Sequence, residues 1–161
     1  HDTLEFPARA KNDFGVTIVE YVSMFFADKI NDASFFKELK MRTDDLGVSN
    51  HLIMVDDENI ADLDKTKRDH AVESHYKFVD AAKVLGCKSI RVNLGGLEQT
   101  GTAEEVAEAA LEGYSKLLEF GDQNEMDIIV ENHVGHSCNG KWLANIMKEC
   151  SQRQRIELIF G

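Results

Sequence analysis

The chain has 161 residues, of which 43% are hydrophobic and 8% aromatic, and its formal net charge at pH 7 is −11. This composition favours one globular domain over a disordered chain. A strongly acidic surface repels phosphate backbones and anionic lipid, so we expect neither nucleic acid nor a membrane to be a partner. The three cysteines lack the paired short spacings of a disulfide framework, and a reducing compartment is the simplest interpretation.

Helical and strand-like segments alternate along the chain. In order, the pattern predicts a helix over about 4–13, a strand over 16–22, a helix over 33–46, a strand over 51–55 and a helix over 65–85. It continues with a strand over 89–92, a helix over 103–120, a strand over 127–130, a helix over 140–150 and a fifth candidate strand over 156–160. Asp32 is expected to cap the second helix, and Thr102 with Glu105 has the spacing of a capping box.

Most of the predicted strands are short and continuously apolar, which is typical of parallel strands buried on both faces. Their alternation with helices predicts parallel βαβ units. Two architectures fit this pattern: a doubly wound open sheet and part of a (β/α)8 barrel. A complete barrel takes around 250 residues, so about five strands are too few to close one alone.

Polar side chains cluster where the predicted strands end. In parallel α/β folds the carboxyl ends of the strands share one edge, here called the rim, and this edge carries the functional site. The residues predicted at the rim are Glu20, Tyr21, Asp56, Asp57, Glu58, Arg91, Asn93, Glu131, Asn132, His133 and His136. Each also has an ordinary explanation, since acidic runs are often solvated turns and loop histidines are mostly not ligands.

Several segments of the sequence resemble a known family. "DFGVTIVEYVSMFF", "AVESHYKFVDAAKVLGCKSIRVNLGG", "IIVENH" and "NGKWLANIMK" are similar to sugar phosphate isomerase/epimerase-like proteins of the xylose isomerase-like TIM-barrel superfamily. The resemblance extends from about residue 4 to residue 150. It implies one parallel (β/α) barrel-type domain over 1–161, and a sugar or sugar phosphate as the small-molecule partner.

The resemblance also implies roles for particular residues. Members of the family hold a divalent metal, commonly Mn, Mg, Co or Zn, and use two glutamates as metal ligands and as acid/base groups beside a carbonyl. "IIVENH" places one of these glutamates at Glu131, as catalytic residue and metal ligand. Glu20, Asn93 and His133 match positions that line the substrate pocket.

The sequence departs from the family pattern near both ends. A strand that usually precedes "LEFPA" is missing, and Ile159 stands where the family has a metal-binding Asp. Strands that would supply a His and a second Glu do not follow. We therefore expect an incomplete barrel, truncated at both ends, with weak or no activity, which associates with itself through its open edges.

Three hypotheses about function remain open from the sequence. The first is a metal-dependent sugar isomerase or epimerase. The second is a non-catalytic part-barrel that binds small polyols or assembles with itself or a partner chain. The third is a DNA-repair endonuclease, which occurs in the same superfamily and which the charge of −11 disfavours.

Overall fold

The computed structural model describes residues 2–56, 58–96 and 99–160, with the backbone only for 152–160. Asp57 and the side chain of Ile159, both considered above, lie outside the described part. The helices are α1 (Phe6–Phe14), α2 (Ala33–Leu46), α3 (Lys65–Leu85), α4 (Ala103–Gln123) and α5 (Gly140–Phe160). The strands are β1 (Ile18–Val22), β2 (Ser49–Met54), β3 (Ser89–Asn93) and β4 (Asp127–Glu131). Short 3-10 turns follow β1 and β4.

The four strands form one parallel sheet in the order β1-β2-β3-β4. Between β3 and β4 the pairing is regular, and Asn93 lies opposite Glu131. Between β1 and β2 the register shifts after Val19, so that Tyr21 pairs with Ile53. The parallel sheet with its alternating helices confirms the predicted fold class, a partial barrel of the (β/α) type.

The helices form one layer against the sheet, since each contacts the next from α1 to α5. The core lies between this layer and the strands, where apolar side chains of both layers are almost fully buried. From the sheet it takes Val19, Tyr21, Ile53, Ile90, Val92 and Ile128, and from the helices it takes Phe36, Leu39, Val72, Val79, Val106 and Leu117. Burial of these side chains is the main force that holds the sheet to the helices.

The opposite, concave face of the sheet is only partly covered. In β1, Val19 and Tyr21 are buried whereas Ile18 and Glu20 are exposed, and β4 alternates in a similar way. The prediction that the strands are buried on both faces therefore holds for β3 but is wrong for β1 and β4. The difference follows from position, because β1 and β4 are the outer strands of the sheet.

The fifth predicted strand, over 156–160, is wrong. The backbone there continues α5, which begins at Gly140 and ends at Phe160. A short apolar run cannot be assigned to strand or helix by periodicity alone, and from 141 to 160 the sequence has no glycine or proline that would end the helix. The described sheet thus has four strands, one fewer than expected.

The predicted helix starts are confirmed in detail. Asp32 Oδ1 accepts hydrogen bonds from the backbone N–H groups of Ser34 (3.0 Å) and Phe35 (3.2 Å). Thr102 Oγ1 accepts from the N–H of Glu105 (3.2 Å), and Glu105 Oε2 accepts from the N–H of Thr102 (2.8 Å). These bonds satisfy N–H groups that the first turn of a helix cannot pair. Among the described residues, no helix has the length and apolar character needed to span a membrane.

Candidate active site

Arg91 is the centre of the rim. It lies in β3, and its side chain is 8% exposed, although it carries a charge. Its Nη1 donates to Asp56 Oδ1 and, over 3.1 Å, to Asn93 Oδ1. Its Nε lies 3.0 Å from Glu131 Oε2, as an ion pair without hydrogen-bond geometry. A buried guanidinium is tolerated only when carboxylates pair with it, and Arg91 has two.

Three strands bring this cluster together. Asp56 follows β2, Asn93 ends β3 and Glu131 ends β4. Asn93 Nδ2 also donates to Asp56 Oδ1 over 2.9 Å. Asp56 Oδ1 therefore accepts hydrogen bonds from both Arg91 and Asn93. We call Asp56, Arg91, Asn93, Glu131 and His133 the rim cluster. Its members are joined because parallel strands end at the same edge of the sheet.

Glu131 has one oxygen engaged and one available. Oε2 lies beside Arg91, whereas Oε1 lies 3.9 Å from Nδ1 of His133. The side chain of Glu131 is 45% exposed, so a ligand on the concave face can reach it. A proton-transferring carboxylate needs a fixed orientation and access to its substrate; the ion pair with Arg91 supplies the first, and the partly exposed side chain allows the second.

Glu20 does not join the rim cluster. Its Oε1 lies 4.0 Å from Nε2 of His51, and within the described part of the chain no contact ties it to Arg91 or Glu131. The pairing of Val19 with Asn50 accounts for this contact, since the next residues along the two strands are Glu20 and His51. Three strand spacings separate β1 from β4, about 14 Å along the sheet. Of the predicted pocket residues, the structure brings Asn93, His133 and Glu131 together and leaves Glu20 apart.

The two loop histidines have different partners. His136 Nε2 lies 3.4 Å from the carbonyl oxygen of Gly101, and its ring is 6.0 Å from that of Trp142. His133 instead neighbours Glu131. The two histidines thus contact different parts of the chain.

The described side chains alone do not fit a divalent metal. Among them there is no group of three or more His, Cys, Asp or Glu residues placed to hold an ion. At the rim, the guanidinium of Arg91 already contacts the nearest oxygens of Asp56 and Glu131. A hard cation prefers about six oxygen ligands, which this cluster does not offer.

Sequence reasoning placed Arg91 and Asp56 at the rim but did not predict that they pair with each other. A usable signal was present, because "SIRV" carries one arginine in an otherwise apolar strand. A charge in a buried strand requires partners of opposite charge, and the neighbouring strand ends supply Asp56 and Glu131.

Comparison with known families and structures agrees with this architecture. The family model described as "Xylose isomerase-like TIM barrel" matches residues 8–160, and the chain belongs to that family. A search among curated proteins gave no significant match.

Solved structures match the fold at low sequence identity. A D-psicose 3-epimerase, solved in the presence of D-fructose, has a TM-score of 0.68 at 14% identity, over 83% of this chain and 50% of that one. An L-ribulose 3-epimerase has a TM-score of 0.62 at 20% identity, and the match covers 78% of this chain and 42% of the epimerase. The IolI protein with a bound zinc atom has a TM-score of 0.65 at 14% identity, and the match covers 80% of this chain and 46% of the IolI protein. The chain thus spans about half the length of the structures it matches, and the likeness shows the fold alone.

Proposed function

We propose that the chain is a sugar or sugar phosphate isomerase/epimerase-like domain, in which Glu131 moves a proton on the carbon beside a carbonyl. The observation that carries this proposal is the position of Glu131, whose Oε2 is beside Arg91 while its side chain stays 45% exposed. The family and the epimerases among the matching structures support the class of substrate.

In the proposed reaction a ketose lies on the concave face with its carbonyl-adjacent carbon near Oε1 of Glu131. The carboxylate takes the proton, and the electron pair of the C–H bond moves toward the carbonyl oxygen to give an enediolate. Delivery of a different proton to the same carbon from the other face, by water, gives an epimer. Return of the proton from Glu131 to the former carbonyl carbon, with a proton shifted from the neighbouring hydroxyl to the former carbonyl oxygen, gives an isomer. A positioned carboxylate contributes roughly 10²–10⁴-fold to such a step.

Neighbouring side chains would orient the sugar. Asn93 uses Oδ1 and one N–H within the rim cluster, which leaves its second N–H to donate to a hydroxyl. His133, half exposed beside Glu131, is placed to contact a second hydroxyl. Glu20 would contact only the far end of a longer ligand, since it lies on β1.

The family implies a divalent metal ion as cofactor, but the described residues of this chain do not fit one. Without an added cation, polarisation of the carbonyl is weak, because metal coordination supplies several kcal/mol of the stabilisation of such intermediates. Nor do the described residues place a second carboxylate within reach of Glu131 on the opposite face of the sugar. We therefore expect this chain to be a slow catalyst.

The alternative is a part-barrel that binds small polyols without turnover or assembles with another chain. The acidic character of the chain is the reason to expect no nucleic acid as partner, and this stays a prediction. We further propose that a second copy of the chain is the assembly partner, as the open edge of β1 favours.

Deuterium exchange separates the two candidates. The chain is incubated with D-fructose in D₂O, and incorporation at the carbons beside the carbonyl is followed by NMR. We expect slow exchange above the buffer rate and its loss in Glu131→Gln, whereas Asp127→Asn, an exposed change on the same strand, retains it. Ketose binding without exchange in the wild type would support the part-barrel alternative. Equal exchange in the wild type and Glu131→Gln would contradict the role of Glu131.

A further inference from the structure

Arg91 lies at the rim between two carboxylates, which come from the ends of the two strands that flank β3. Its buried side chain comes from β3, with Asp56 on the β2 side and Glu131 on the β4 side. Arginine keeps its charge at any pH at which the protein is folded. The guanidinium of Arg91 is therefore the counter-charge of both Asp56 and Glu131.

We propose that Arg91 is the resident cation of the rim cluster: it holds Asp56 and Glu131 in place and prevents a divalent metal from binding between them. This is a positioning role, distinct from proton transfer by Glu131.

The contacts explain why a metal and Arg91 exclude each other. Metal–oxygen bonds to Mn²⁺-sized ions are about 2.0–2.6 Å long. Glu131 Oε2 lies 3.0 Å from Nε, and Asp56 Oδ1 accepts both from Nη1 and from Asn93. An ion bound to both oxygens would lie against the guanidinium, with like charges close together in a partly dry site.

Removal of the guanidinium of Arg91 would allow a metal to bind. The oxygens of Asp56 and Glu131 would face each other without a counter-charge, with the imidazole of His133 and the amide of Asn93 beside them. Carboxylate, imidazole and amide together are suitable donors for Mn²⁺. The cluster would then change from a closed ion pair into an open cation site.

The test is Mn²⁺ titration of the wild type and of Arg91→Met, measured by calorimetry and by loss of the free-ion EPR signal. We expect Arg91→Met to bind at least tenfold more tightly than the wild type, and Arg91→Met/Glu131→Gln to lose that gain. Arg91→Lys, which keeps the charge, should resemble the wild type. Arg68→Met is the matched control, since Arg68 is likewise buried and paired with a carboxylate, that of Glu112 on α4, which also accepts from Lys116.

Three results would overturn the inference. The first is wild-type binding within threefold of Arg91→Met. The second is a gain that persists in the double variant, and the third is an equal gain in Arg68→Met. Circular dichroism and a cooperative melt establish that each variant is folded, and Arg91→Gln replaces Arg91→Met if the latter does not fold. Binding is measured without turnover, so failure here is distinguishable from failure of the proposed proton transfer.

Discussion

At the scale of single residues, the contacts of each charged side chain decide what it can do. Arg91 and Arg68 are both buried, yet they belong to different surroundings. Arg91 joins the ends of three strands at the rim, whereas Arg68 ties α3 to Glu112 of α4. Only the first lies at the carboxyl ends of parallel strands, the edge that carries the functional site in folds of this class. We therefore assign the rim to chemistry and the α3–α4 ion pairs to stability.

The α3–α4 ion pairs predict a stability loss in acid. Lys116 donates to Asp69 (2.6 Å) and to Glu112 (2.8 Å), and Arg68 also donates to Glu112. The hydrogen bond from Lys116, then that from Arg68, lowers the pKa of Glu112 from 4.5 to about 2. Those from Lys116 and then Lys65 lower the pKa of Asp69 from 3.8 to about 2.

A lowered pKa in the folded state stabilises the protein above the ordinary pKa, and this contribution is lost as pH falls toward about 2. We expect the melting temperature to fall between pH 5 and pH 2.5 by more in the wild type than in Asp69→Asn/Glu112→Gln. The difference should be small, because both carboxylates are more than a third exposed and solvent screens them. The exposed Asp45→Asn serves as control, and identical acid sensitivity of the wild type and the double variant would contradict the assignment.

At the scale of elements, a close contact between α4 and the backbone of the loop between β2 and α3 positions that loop, which reaches the rim. A Cβ atom at Gly113, in the middle of α4, would lie 1.9 Å from the carbonyl oxygen of Ile60. Ile60 is fully buried in the loop between β2 and α3, the same loop that contains Asp56. Gly113 thus permits the contact between this loop and α4.

Gly113→Ala should therefore destabilise the fold. Because a backbone atom has to move, we expect a loss of about 2–3 kcal/mol in the free energy of unfolding, the upper part of the range for overpacking. Gly140→Ala is the matched control, since nothing lies within 4 Å of its Cβ position and it begins α5. Chemical denaturation of both variants measures the effect, and a Gly113→Ala variant as stable as the wild type would contradict the close contact.

At the scale of the whole molecule, exposed apolar side chains concentrate at one edge of the sheet. Within the described chain, most large exposed hydrophobic residues belong to the segment around β1, namely Phe6, Phe14, Val16, Ile18, Met24 and Phe25. Strand β1 pairs on one side only, with β2. Two four-stranded sheets would together supply eight strands, the number of a closed barrel of this class.

We therefore expect the chain to self-associate through the β1 edge. Light scattering from dilute to concentrated solution should show a dimer, and Ile18→Lys should shift the equilibrium toward monomer because a charge opposes pairing at an exposed edge. Met41→Lys is the control, an equally exposed apolar residue on α2. A single monomer mass in concentrated solution would count against this prediction.

The sequence predicts the fold and the position of the rim better than the contacts within it. Apolar runs and caps such as Asp32 and Thr102 predicted most elements, because local signals determine them. The run over 156–160 was misassigned, since continuation of α5 depends on the absence of a stop signal over a long segment. The pairing of Arg91 with Asp56 and Glu131 depends on strand register, which residue types alone do not specify.

The most direct test of the central claim is a crystal structure of Glu131→Gln with D-fructose bound, because the claim concerns where the reacting carbon lies. We predict that a carbon beside the carbonyl lies within about 3.5 Å of the residue 131 side chain, the reach of a proton-transferring group. The sugar hydroxyls should contact Asn93 and His133. A sugar bound away from Glu131, for example against Phe6, Val22 and Phe25 beside β1, would contradict this role of Glu131.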